Sequence, residues 1–222
     1  MKKVILAVIS MMFITSSAFA ASIGISGTAL YFDASGTETT KSSSQKNDKS
    51  EDGVVPIPSF FIETEAAGGS IIGLDIVPFS AKAADFDNAR TDTDTDDASD
   101  SAGNNKGDVN FKNHVTLYVE KPLDTAINGS FIKFGVSRVT IETDETVATG
   151  STYGDESTMG VMIGFGTRKD LANGAFMKLE GQVSRYRGAT FDGSADSDSV
   201  KNKIELDDFT TAGLKVSVGK SF

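Results

Sequence analysis

Residues 212–222, AGLKVSVGKSF, decide the fold, because they alternate apolar and polar side chains up to the last residue. Val216 and Val218 fall on one face of the predicted strand, whereas Lys215 falls on the other. Chain ends usually fray unless another element binds them. A terminus built like the middle of a sheet therefore predicts a strand that pairs with a neighbour as far as Phe222.

The same alternation of period two recurs along the chain and predicts an all-β fold. Each predicted segment is close to the roughly 9 to 11 residues with which a tilted strand crosses a bilayer. After residue 20 the sequence shows no helical periodicity of useful length. The eight predicted strands are 23–33, 56–65, 71–80, 109–120, 130–141, 158–167, 175–187 and 209–222.

The connections between these strands alternate in length. Four are long and polar (34–55, 81–108, 142–157 and 188–208), and three are short (66–70, 121–129 and 168–174). In an up-and-down meander every second connection lies at the same end. The sequence therefore predicts an antiparallel barrel with four long, solvated loops at one end and three turns at the other.

Residues 1–20 have the pattern of an export signal, with Lys2 and Lys3 before an apolar run and a small-residue cleavage site, Ala18 to Ala20. The sequence predicts cleavage after Ala20 and a single barrel domain over residues 21–222. Loss of the two lysines leaves 19 basic against 31 acidic residues and changes the net charge from −10 to −12. This acidic balance argues against nucleic acid as a partner.

The chain contains no cysteine, which excludes disulfides, thiolate metal sites and a cysteine nucleophile. The fold must therefore be stable without crosslinks.

The two faces of each strand distinguish a membrane barrel, which is apolar outside, from a soluble barrel, which is apolar inside. In the strand 109–120, one face carries Val109, Phe111 and Val115, and the other carries Lys112 and His114. A soluble exported sandwich or lipocalin-like barrel remains an alternative, because a one-sided sheet gives the same alternation. The membrane reading places the following polar residues in the lumen: Glu63, Glu65, Asp75, Lys112, His114, Lys133, Lys178, Glu180 and Lys215. It places these apolar residues against lipid: Val115, Leu117, Val161, Ile163, Leu179, Leu214, Val216 and Val218.

The strand that ends in Phe222 resembles the C-terminal assembly signal of bacterial outer-membrane barrels, although Lys220 stands where that family usually has an apolar residue. The whole mature chain is similar to the small eight-stranded class typified by the OmpA transmembrane domain and the OmpX and OmpW proteins. The resemblance implies a place in the bacterial outer membrane, contact with its lipid and lipopolysaccharide, and recognition of the last strand by the barrel-assembly machinery. It also implies that the last strand closes the barrel against the first.

Two groups of residues invite a chemical role. His114 could act as a general base for lipid chemistry, but its parity points it into the lumen, so we expect a polar interior residue and no catalytic site. Asp92, Asp94 and Asp96 have the alternate spacing of a calcium loop, yet Asp97 stands where an EF-hand needs glycine. We expect a solvated acidic loop and no cofactor, and weak binding of a divalent cation that bridges the loop to lipopolysaccharide is the alternative.

These observations predict a non-enzymatic outer-membrane barrel that anchors acidic surface loops. The alternative is a small channel for small solutes, if the paired lumen charges leave a path. A lipid-modifying enzyme that uses His114 and a soluble binding barrel are weaker alternatives.

Overall fold

The computed structural model describes residues 21–39, 46–90, 103–146, 152–194 and 202–222. Within these ranges there is no α-helix, and no helix that is long and apolar enough to cross a membrane. Eleven strands form one antiparallel sheet. They are β1 (Ala21–Thr39), β2 (Lys46–Glu65), β3 (Ile71–Val77), β4 (Ala81–Arg90), β5 (Gly103–Pro122), β6 (Ser130–Thr146), β7 (Glu156–Asp170), β8 (Ala175–Tyr186), β9 (Ala189–Asp192), β10 (Lys203–Leu206) and β11 (Phe209–Ser221).

The sheet closes into a barrel because its last strand pairs with its first. The β1–β11 ladder runs from the pair Ser22 and Ser221 to the pair Asp33 and Thr210. The N–H of Phe222 then donates to the carbonyl oxygen of Ala21 over 2.9 Å, so the C-terminus is held as predicted. Strands β3 and β4 form one wall segment, interrupted at 78–80, and the predicted eight-stranded antiparallel barrel is confirmed.

The strands reach further into the long connections than the sequence predicts. The β1–β2 ladder continues to the pair Thr39 and Lys46, and β5 pairs with β6 as far as Lys106 and Thr146. An antiparallel ladder is held by backbone hydrogen bonds, which polar sequences make as well as apolar ones. The expectation that the four long connections are wholly loop is therefore wrong, since 188–208 also contains two short strands. We call this end the long-loop end, and the opposite end the short-turn end.

Tight turns close the short-turn end. Two 3₁₀ turns, Ala67–Gly69 and Ala172–Gly174, connect β2 to β3 and β7 to β8. Gly68 and Asn173 have positive φ values of 73° and 62°, a conformation that glycine and asparagine adopt most readily. The sequence therefore has residues that readily adopt positive φ at the positions where these turns require it.

A band of exposed apolar side chains surrounds the barrel between its two ends. Most of the predicted lipid-facing residues belong to it, and Val161 and Leu214 are 63% and 67% exposed. Val115 is less exposed than these residues and is half-buried, because it adjoins an irregularity in β5. Such a continuous apolar surface is unusual for a protein in water. The band consists mainly of Ile23, Ile25, Val54, Phe60, Ile72, Leu117, Val119, Phe134, Val136, Met159, Val161, Ile163, Phe165, Met177, Leu179, Val183, Leu214, Val216 and Val218.

The interior has two zones, whereas the sequence predicted a polar lumen throughout. The zone near the short-turn end is charged, and the zone near the long-loop end is apolar. Phe111 lies in the apolar zone and not on the outer face with Val115. The reason is a β-bulge between Lys112 and Val115, where Asn113 has φ 52° and the alternation changes phase. We define the apolar cluster as Leu30, Phe32, Val55, Ile57, Val77, Ala81, Phe111, Val139, Ile141, Tyr186, Phe191 and Phe209.

Candidate functional site

Buried ion pairs cross the lumen near the short-turn end. Lys178 of β8 pairs with Glu63 of β2, and its Nζ lies 2.7 Å from Oε2 of Glu120 on β5. Both β2 and β5 are three strands away from β8 around the barrel. These side chains therefore meet through the interior and not along the wall.

Lys133 of β6 completes this group. Its Nζ lies 2.9 Å from Glu120 and 2.5 Å from Glu180, and all three side chains are almost fully buried. The Tyr118 hydroxyl donates to Oε1 of Glu63 over 2.6 Å, while its ring lies beneath the Lys133 ammonium at 4.2 Å. We define the ion cluster as Glu63, Glu120, Lys133, Lys178 and Glu180.

A second ion pair lies closer to the middle of the barrel. Lys215 of β11 pairs with Asp75 of β3, and the Ser59 hydroxyl donates to Oδ2 of Asp75 over 3.1 Å. Ser59 also hydrogen-bonds Ser26 at 2.7 Å. Asp75 therefore has both an opposite charge and a hydroxyl within reach, which offsets the cost of its burial.

The buried charges are nearly balanced. Four carboxylates, from the ion cluster and Asp75, face three lysines. Arg168, at the short-turn mouth, supplies the fourth cation, with its guanidinium 4.0 Å from Glu63 and 3.8 Å from the ring centre of Phe176. The sequence predicted four charges of each sign in the lumen. The structure also has four of each sign, but two of the residues that supply them are different.

Two of the predicted lumen residues lie elsewhere. Glu65 is exposed, because β2 ends there at the short-turn mouth. Lys112 pairs outside the lumen with Glu142, because the β-bulge that follows it reverses the phase of β5. The hydrogen bond from Lys112 holds the pKa of the Glu142 carboxyl below its usual value. Arg168 and Glu120 take the place of Lys112 and Glu65 in the count of lumen charges. Glu120 could be found from the sequence, because it lies two residues from Tyr118 and therefore on the same face of the strand.

His114 lies inside the barrel, as its parity predicted, but not beside Lys112. Its Nε2 is 2.9 Å from the Tyr186 hydroxyl and 3.5 Å from the Thr116 hydroxyl. It borders a cavity of about 30 Å³ that Asp75 and Lys215 also line. A cavity of this size holds one or two water molecules and is too small for a lipid chain or a solute.

Aromatic rings fill much of the remaining lumen by lying across glycines of the neighbouring strand. A Cβ on Gly73 would lie 2.2 Å from the ring of its cross-strand partner Tyr118. Gly219 has the same relationship to Phe176, at 2.4 Å. Glycine is therefore required where a ring must lie flat against the wall of a narrow barrel.

Among the described residues, the backbone pairing of the wall is interrupted beside β2. β2 pairs with β3 only from Phe60 to Glu65, and β4 pairs only with β5 among the described residues. Pro56 and Pro58 lie in the unpaired stretch of β2. Because the β1–β2 ladder continues through both prolines, which have no N–H, their nitrogens face away from β1 and towards this gap. The buried side chains behind the gap are apolar: Val55, Ile57, Val77 and Ala81.

The remaining predicted sites lie outside the part of the chain that the structure describes. Asp92, Asp94 and Asp96 belong to residues 91–102, and the signal peptide occupies residues 1–20. Within the described ranges, no group of three or more histidine or acidic side chains is arranged to hold a metal ion.

The sequence matches no protein-family model and no curated protein. The fold is similar to the outer membrane protein OprG from Pseudomonas aeruginosa, with a TM-score of 0.50 and 12% identity over 91% of this chain and 97% of that chain. The outer membrane protease OmpT from Escherichia coli follows with a TM-score of 0.49 and 10% identity over 94% and 99%. The outer membrane protein AlkL gives 0.47 and 15% over 94% of each chain. The likeness to OprG shows that this chain has the fold of a small outer-membrane barrel.

Proposed function

We propose that this protein is an integral β-barrel of the bacterial outer membrane. The observation that carries the proposal is its polarity, which is the reverse of a soluble barrel: ion pairs such as Lys178 and Glu63 are buried, while Val161 and Leu214 are exposed. In lipid the apolar band is solvated by acyl chains, and the closed ladder leaves few backbone groups unpaired. The soluble alternative would bury the band and expose the lysines.

We further propose that the short-turn end faces the periplasm and the long-loop end faces outward, with the signal peptide removed after Ala20. Long outer loops and short periplasmic turns are typical of such barrels. The β1–β2 extension then projects above the bilayer and carries acidic side chains, among them Asp33 and Asp52, which are cross-strand neighbours. The barrel is an anchor that presents this rigid, acidic surface.

The anchor is non-conducting and non-enzymatic. Its lumen is obstructed by the ion cluster near one end and by the apolar cluster near the other, with a cavity of only about 30 Å³ between them. His114 hydrogen-bonds Tyr186 inside the barrel and does not face lipid. Over the described residues, these features argue against a continuous aqueous path and against His114 as a general base for lipid chemistry.

Conductance across a planar bilayer tests this function. Refolded full-length protein is expected to insert, to migrate on a gel as a heat-modifiable band, and to give no current steps of reproducible size. Reproducible open steps would support the small channel instead. A His114→Ala variant that changed lipid chemistry in the membrane would support the enzyme.

The gap beside β2 favours a second candidate function, the lateral passage of small apolar molecules. Unpaired strand edges are rarely left in a barrel wall, and this one adjoins the apolar cluster and the exposed ring of Phe79. Because the apolar cluster fills this end, an apolar molecule would have to displace its side chains, and it could then leave sideways into lipid between β2 and β4. The route avoids the ion cluster, so it requires no ion conductance.

A disulfide across the gap tests this route, and the cysteine-free chain makes the experiment clean. Ser59 and Val77 would form the next pair if the β2–β3 ladder continued, so the double variant Ser59→Cys and Val77→Cys staples the gap. The matched control, Ile62→Cys with Leu74→Cys, staples an existing pair. Uptake of an apolar fluorophore into proteoliposomes should stop only for the first staple and return on reduction. If uptake of the fluorophore is unchanged by the disulfide across the gap, the lateral route is contradicted.

A further inference from the structure

Three of the five arginines in the chain lie together on the outside of the barrel, at the long-loop edge of the apolar band. Arg138 is on β6, Arg185 is on β8, and Arg187 follows directly after β8. All three are exposed. We define them as the arginine site, because the planar guanidinium group binds phosphate oxygens in pairs.

Strand register brings these arginines together. Arg138 is the cross-strand partner of Met159, and the N–H of Arg187 donates to the carbonyl oxygen of Met159 over 3.0 Å. Neighbouring strands are about 5 Å apart, so two arginine backbones flank Met159 about 10 Å from each other. Arg185 lies two residues closer to the middle of the barrel, a further step of about 7 Å along the strand. The flexible side chains can therefore reach one common headgroup.

Apolar side chains continue directly below the arginines. Met159, Val161 and Val183 are 59%, 63% and 47% exposed, and Val161 is the cross-strand partner of Arg185. A ligand that matches this surface carries negative charge at one end and a hydrocarbon chain at the other.

Carboxylates neutralise the arginine site only weakly. Arg185 lies 3.5 Å from Asp208, but both side chains are more than half exposed, and such pairs contribute little. Arg138 donates to the Ser157 hydroxyl over 3.3 Å. Across the described ranges, no carboxylate lies within 4.0 Å of Arg138 or Arg187. Asp208 also interacts electrostatically with Arg187, so it is the described carboxylate with which a bound phosphate competes at this site.

We propose that the arginine site binds the phosphate groups of an anionic lipid in the outer leaflet. The acyl chains of that lipid pack on Met159, Val161 and Val183. The inference rests on the proposed membrane location, and it adds a defined lipid site to a barrel that otherwise contacts bulk lipid. In such a lipid the phosphates lie at headgroup depth and the hydrocarbon lies below them. On the protein, likewise, the arginines lie at the edge of the apolar band and the apolar side chains lie below them.

Thermal unfolding in bilayers of defined composition tests the site. Full-length protein is refolded in phosphatidylcholine bilayers with or without diphosphorylated lipid A, and the unfolding temperature is read from heat-modifiable migration. The wild type should gain several degrees from lipid A. The triple variant Arg138→Gln, Arg185→Gln, Arg187→Gln should lose most of that gain. The control Lys46→Gln, Lys49→Gln, Lys106→Gln removes the same charge from the β1–β2 and β5–β6 extensions above the band and should keep the gain.

The other outcomes contradict the lipid site, and they distinguish its failure from a failure of the proposed membrane location. An equal gain in the triple variant, or the same gain from dephosphorylated lipid A or from inorganic phosphate alone, contradicts a site for the phosphates of an anionic lipid. If the triple variant does not fold, Arg138→Gln and Arg187→Gln are measured singly, and each should lose part of the gain. Insertion without any dependence on lipid A contradicts this site alone. Failure to insert into phosphatidylcholine contradicts the proposed function.

Discussion

Gly73 and Tyr118 are cross-strand partners on β3 and β5, and the Tyr118 ring occupies the space that a Cβ on Gly73 would need. The ring reaches across the lumen from that position and hydrogen-bonds Glu63. The missing side chain on one strand therefore positions an aromatic side chain on the next. This pair links the shape of the wall to the ion cluster.

We predict that Gly73→Ala destabilises the barrel by about 1 to 3 kcal/mol, because the new methyl group displaces the Tyr118 ring from its packed position. The displaced hydroxyl also loses Glu63 as its acceptor. Unfolding by urea in detergent or lipid measures the change. Gly27→Ala is the matched control, since Gly27 lies on the outer face with nothing within 4 Å of its Cβ position. Equal losses in the two variants would show that the ring does not require Gly73.

The ion cluster gives a prediction about charge. Lys178→Met should destabilise the barrel by about 3 to 5 kcal/mol, because it leaves Glu63 and Glu120 buried with one ammonium fewer. Denaturant unfolding of the full chain in lipid measures this loss. Lys112→Met is the control, since its pair with Glu142 is partly exposed and should contribute about 1 kcal/mol or less. A loss of stability that is no greater for Lys178 than for Lys112 would contradict a structural role for the cluster.

The strand order and barrel closure could be predicted from the sequence because each strand carries its own alternation and the connections alternate between long and short. The orientation of Lys112 could not be predicted, because the alternation of apolar and polar residues does not reveal the β-bulge at Asn113. The apolar cluster was missed for a related reason. Phe32 and Phe111 come from distant strands and meet edge to face with ring centres 6.0 Å apart, and only the closed barrel brings them together.

The terminal residue gives a prediction about assembly. The Phe222 side chain is 71% exposed, while its backbone N–H binds Ala21. Phe222→Ser should therefore leave the unfolding free energy within about 0.5 kcal/mol of wild type, as surface substitutions do. If Phe222 is the signal that the assembly machinery recognises, the same variant should lower the yield of folded barrel in cells. Pulse labelling with heat-modifiable migration measures the yield, and an unchanged yield would contradict that role.

The apolar band gives a prediction that depends on depth. Val216 and Thr210 lie on the same face of β11, and Val216 belongs to the middle of the band, whereas Thr210 lies at its long-loop edge beside Arg185. A lysine at the bilayer midplane costs about 2 to 4 kcal/mol, and one near the interface costs about 0 to 1 kcal/mol. Val216→Lys should therefore destabilise the barrel in lipid far more than Thr210→Lys, as read from unfolding in phosphatidylcholine vesicles. In a soluble barrel both lysines would be solvated and the two variants would behave alike, so equal stabilities would contradict the membrane assignment itself.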